Sequence, residues 1–182
     1  MPASTRTTRE AWIEAGLSAL ADGGPDAVRV DVLAQKLGVT RGGFYHQFES
    51  RPAFLDALLD TWEHRSTEDV RQRVEREGGD ARRKVARAGM LTFSDELLPI
   101  DLAVRDWARR DDAVATRLRR VDNQRMHYLR DLISEFCTDP DEVEARGMLA
   151  FALAIGNNFV AAEHLGSSRA EVLKRATQLL LG

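Results

Sequence analysis

Several features are scarce or missing in this 182-residue chain, and each absence narrows what it can be. It has a single cysteine, Cys137, so no internal disulfide can form, which suits a reducing compartment. Only one stretch, Gly147 to Ala162, is apolar for any length, and Asn157 and Asn158 interrupt it. That run is too short and too polar to cross a hydrocarbon core of about 30 Å. No basic-then-apolar leader with a cleavage site opens the chain, so the expected location is the cytoplasm. Alternation of polar and apolar residues is nowhere sustained, so no strand is expected.

Signatures of catalysis are missing as well. The four histidines, His46, His64, His127 and His164, lack the spacing that sets two imidazoles on one helix face beside an acid. There is no phosphate-cradling glycine loop and no Gly-x-Ser-x-Gly elbow. Cys137 follows Phe136, and an apolar packing role fits it better than a reactive one. The expectation is a protein that is not an enzyme, with no metal and no cofactor.

What is present centres on residues 30–48, Val-Asp-Val-Leu-Ala-Gln-Lys-Leu-Gly-Val-Thr-Arg-Gly-Gly-Phe-Tyr-His-Gln-Phe. Leu33, Ala34 and Leu37 give a short helix its apolar face. Gly38 supplies the left-handed residue that ends this helix, and Val39 plugs the corner. Thr40 is placed to cap a second helix, in which Phe44 and Phe48 turn inward at i and i+4. Ala34 is small enough to let the two helices cross closely. This is the pattern of a helix-turn-helix, whose second helix enters a major groove.

The outward side of that second helix then carries the chemistry. Arg41 can donate two hydrogen bonds to a guanine edge or one to a phosphate. Gly42 and Gly43 each cost about 1 kcal/mol of helix propensity relative to alanine. Close approach of the backbone to another molecule explains such a pair better than folding does. A plain helical hairpin in an all-α interaction module or small enzyme, without DNA binding, is the alternative.

Residues 37–48, Leu-Gly-Val-Thr-Arg-Gly-Gly-Phe-Tyr-His-Gln-Phe, resemble the signature of the tetracycline-repressor (TetR) family of transcriptional regulators. The resemblance extends over about residues 6–66, from the helix ending at Gly23-Gly24 to the long helix after Glu49-Ser50-Arg51. One departure is Gln47, where members usually carry histidine. The resemblance implies an all-α fold of about nine helices. It also implies a three-helix DNA-binding domain over 6–66 and a helical ligand-sensing and dimerisation domain over 67–182. DNA contacts are then expected from Arg29, Thr40, Arg41, Gly43, Tyr45, His46 and Arg51. The implied partners are an operator duplex, a small-molecule effector and a second copy of the chain.

Charge does not advertise this role. The chain carries a net −3, and its first fifty residues hold five basic against six acidic groups, whereas nucleic-acid binders are usually basic. Arg6, Arg9, Arg41 and Arg51 can all lie on the duplex side while the acids face away. A shallow salt dependence is expected, because few phosphates are neutralised per subunit.

The rest of the chain reads as helices throughout. Pro52 stands in the first turn of a helix bearing Phe54, Leu55, Leu58, Leu59 and Trp62 and continuing to Glu77. Gly78-Gly79 breaks it, and Asp80 caps a helix drawn to about Leu97. Short and long helices follow over 100–110 and 114–136. The last two are drawn over 141–164 and 168–181. Apolar residues nearly surround 148–162, and Val172, Leu173, Ala176, Leu179 and Leu180 form a stripe. Pairing of these two helices with their copies into a four-helix bundle would cover both. Met90, Phe93, Trp107, Tyr128, Phe151 and Asn157 combine aromatic walls with polar handles and are the candidate ligand-pocket residues.

Overall fold

A computed structural model describes residues 8–182, and Arg6 lies outside them. Among the described residues there are helices and turns but no strands. The order is α1 (Arg9–Ala27), α2 (Val30–Lys36), α3 (Arg41–Gln47), α4 (Arg51–His64), a π-helical turn (Arg65–Asp69), α5 (Val70–Glu77), α6 (Ala81–Thr92), α7 (Leu98–Ala108), α8 (Asp112–Ser134), α9 (Pro140–Gly156) and α10 (Arg169–Leu181). Because α4, the π turn and α5 run on without a break, these amount to nine helical rods. No described helix is long and apolar enough to cross a membrane.

The chain divides into two compact units. The first holds the described residues up to Arg65 together with Asp95–Arg119. Thr8 caps α1, its hydroxyl accepting from Ala11 N at 3.2 Å. The regular part of α1 stops at Gly23 and Gly24, the latter at φ +71°. At the α1–α4 crossing a glycine is required, since a Cβ on Gly16 would sit 2.6 Å from Phe54 Cζ and 2.8 Å from Leu58 Cδ2. Trp12, Leu20, Phe44, Phe54, Leu58 and Trp62 fill the core around it. Phe44 is the hub, with ring centroids 5.3 Å from Trp12, Phe48 and Phe54. α7 packs along α1 in the same unit. An ion pair from Arg65 to Glu14 braces α1 against the end of α4.

The second unit comprises Ser66–Ser94 and Arg120–Gly182. Val85, Leu129, Leu132, Ile133, Val143 and Leu181 make its core. Asp80 caps α6, Oδ1 accepting from Arg83 N at 2.9 Å. In the first turn of α6, Arg82 Nε donates to Leu181 O at 2.8 Å while its guanidinium lies 4.2 Å over the Phe136 ring. Arg146 donates to Leu180 O. Two arginines from other helices thus satisfy the open carbonyls at the end of α10.

Two boundaries differ from the sequence expectation. The helix drawn to Leu97 ends at Thr92, and a turn occupies residues up to Leu97. The helix drawn to His164 ends at Gly156. There the Asn158 amide donates to Ala154 O and Ile155 O at 3.1 and 3.4 Å, while Arg169 donates to Asn157 O at 2.9 Å. The two asparagines are therefore end groups closing a helix, not buried amides within one.

Candidate nucleic-acid interface and ligand cavity

The corner between α2 and α3 is built as its residue types demand. Gly38 takes φ +67°, a region that suits glycine. Val39 N then reaches back to Ala34 O at 2.9 Å. Leu33, Ala34, Phe44 and Phe48 are buried, which fixes the rotation of α3. Thr40 stands at the N-cap with extended φ and ψ, but its hydroxyl makes no capping bond. The expected cap is thus one of position only, on an exposed residue.

With Phe44 inward, Arg41, Tyr45 and His46 are exposed. The Arg41 guanidinium makes no ion pair among the described residues. The Tyr45 ring is set edge-on against Phe44 at 5.2 Å, so a core residue orients it. Neither glycine of the pair is imposed by the fold. A Cβ on Gly43 would meet nothing within 4 Å, and one on Gly42 only Thr40 Oγ1 at 3.6 Å. Neither has a positive φ.

The remaining expected DNA contacts are engaged within the protein. Arg29, at the N-cap of α2, pairs with Asp31 at 3.0 Å on an exposed surface. Arg51 donates from Nε to Val28 O at 2.9 Å and from Nη2 to Pro25 O at 2.5 Å. It ties the start of α4 to the turn before α2, a structural part that the sequence pattern did not reveal. Arg9 stacks its guanidinium 5.0 Å above Phe48.

A cavity of about 360 Å³ lies within the second unit. Phe93, Tyr128 and Phe151 line it, as the sequence suggested, but Met90, Trp107 and Asn157 do not. Met90 points to solvent, Trp107 belongs to α7 in the other unit, and Asn157 closes α9. Sequence reasoning missed Ser66, Thr67, Glu68 and Arg71 on and beside the π turn, and Gln124 and Arg125 on α8. Phe93 and Phe151 meet edge to face at 5.7 Å. Burial and a 2.8 Å bond to Glu75 push the Tyr128 hydroxyl well above the ordinary tyrosine range. Bonds from Lys84 and Tyr128 hold Glu75 below the ordinary carboxylate value.

An exposed second helix of a helix-turn-helix and a separate helical unit with its own cavity define a class, the two-part helix-turn-helix fold. Residues 13–58 match the model of bacterial regulatory proteins of the tetR family. The chain carries the N-terminal domain of that family and the all-α fold of its regulators. A Rhodococcus sp. protein assigned to TetR-family transcriptional regulators is 25% identical with a TM-score of 0.66, over 96% of this chain and 98% of that one. FadR from Bacillus subtilis, solved with stearoyl-CoA, shares the fold at 16% identity and TM-score 0.67, over 96% and 98% of the two chains. AibR, solved with isovaleryl coenzyme A and operator DNA, does so at 12% identity and TM-score 0.68, over 95% and 97%. No curated protein matches the chain.

Proposed function

We propose that this chain is a cytoplasmic, homodimeric transcriptional repressor whose hold on a palindromic operator is weakened by a small ligand in the second unit. In this reading residues 6–66 form the DNA-binding domain, and 67–182 sense the ligand and dimerise. The observation that carries it is the glycine pair of α3, exposed at Gly42 and half-buried at Gly43, where the fold leaves room for side chains. A fold indifferent to these glycines leaves an outside partner as their reason. The AibR structure, with coenzyme A thioester and operator DNA together, supports the same division of labour.

Within α3, Arg41 and His46 are the proposed base contacts. Thr40 by its hydroxyl, Gly43 by its amide and Tyr45 by its hydroxyl are the proposed phosphate contacts. Arg29 can exchange its exposed Asp31 partner for a phosphate, whereas Arg51 acts mainly by fixing α2 and α4 together. Two readers engage successive major grooves about 34 Å apart, and the ligand favours a dimer whose reader spacing no longer matches.

Fluorescence anisotropy of the full chain on duplexes from the DNA flanking its coding region tests the proposal. Saturable binding that a random duplex of equal length does not compete away supports it. Absence of any duplex preference at low salt would leave the all-α interaction module as the better account.

A further inference from the structure

Resting on the reading of the second unit as the ligand sensor, we infer that its cavity takes an apolar carboxylic acid as the free anion, its head on Arg125 and its body against Phe93 and Phe151. The cavity has two unlike walls. α6 and α9 offer aromatic and small apolar side chains, and the small residues set its width. A Cβ on Gly89 would lie 3.4 Å from that of Ala154. The π turn and α8 offer hydroxyl, amide and guanidinium groups. A molecule with an apolar body and one polar end fits both walls at once.

The sign of that end follows from which groups are committed. Glu68, the one carboxylate in the lining, already accepts from Arg71 Nε and Nη2 at 3.1 and 2.9 Å and from Gln72 at 2.7 Å. Tyr128 donates to Glu75, which also takes Lys84 at 2.5 Å. An incoming ammonium therefore finds the carboxylates already engaged. Arg125 is the buried cation of the wall, its side chain 5% exposed. Its Nη1 lies 3.1 Å from Asp122, and its guanidinium lies 5.7 Å from the Phe93 ring. A planar guanidinium presents donors along more than one edge and engages carboxylates through paired bonds. A thioester brings no charge to that point and would set an acyl chain against the cation. The volume also sits at the lower end of small-ligand sites, enough for the acid.

Isothermal titration of the full chain with decanoate, methyl decanoate, decylamine and decanoyl-CoA at matched ionic strength decides the matter. Decanoate is expected to bind saturably. The ester and the amine are expected to bind about tenfold or more weakly, the worth of one charge-assisted hydrogen bond. Arg125→Met is expected to erase the preference for acid over ester. Should that variant fail to fold, Ala154→Leu fills the cavity from its apolar wall and is expected to abolish decanoate binding with helix content retained. Tighter binding of the amine or the thioester overturns the inference, as does decanoate binding that survives Ala154→Leu, or no binding of decanoate at all. Operator binding measured on the same preparations separates the two ideas. A chain that binds DNA but no acid refutes only the ligand, and one that binds acid but no DNA refutes only the regulator.

Discussion

Position 43 separates folding from function more sharply than any other residue of α3. Its glycine weakens a helix without relieving a clash or supplying a left-handed turn. Gly43→Ala is therefore expected to raise unfolding free energy by roughly 0.5–1 kcal/mol while lowering operator affinity, read by denaturant titration and anisotropy on one sample. Arg41→Ala should cost about 1–3 kcal/mol on the preferred duplex and relax discrimination at one base pair. Equal loss on specific and random duplexes would move Arg41 to the phosphates. Arg51 behaves differently. Its bonds to Pro25 O and Val28 O predict that Arg51→Met lowers stability by about 1.5–3 kcal/mol, a change that a pure phosphate contact would not produce.

Among the elements, the helix-turn-helix was legible in sequence because its determinants are local. A left-handed glycine and two inward phenylalanines leave little freedom for the chain between them. The ends of α6 and α9 were not legible, because neither carries a proline. The end of α9 is closed by groups that apolar periodicity does not mark, Asn158 just past it and Arg169 at the start of α10. The polar wall of the cavity was hidden for a related reason, since Ser66 on the π turn, four residues after Trp62, is buried to 1% exposure yet is a polar residue that a search for apolar periodicity passes over. The α1–α4 crossing depends on Gly16, and Gly16→Val is expected to destabilise by about 1–3 kcal/mol through overpacking against Phe54 and Leu58. Between α5, α6 and α8, Glu75 is held below its unfolded value by Lys84 and Tyr128. A depressed carboxylate stabilises above its unfolded pKa and loses that contribution as pH falls through the folded one. Denaturant midpoints are therefore expected to drop on the acid side, and less steeply in Glu75→Gln.

For the whole molecule, α9, α10 and the segment between them expose Met148, Leu149, Phe159, Val160, Leu165 and Leu179, the last at 71%. This exposed apolar surface of the second unit is where a second copy is proposed to pair. Light scattering at micromolar concentration is expected to give twice the chain mass, and Leu149→Arg with Leu179→Arg to return it to one. The central claim, that paired α3 faces read DNA, is tested most directly by anisotropy on the flanking duplex with wild type and Arg41→Ala across a salt series. The account predicts preference for that duplex over random sequence, a shallow salt slope, and loss of the preference in the variant. Identical binding of the wild type to every duplex would contradict it.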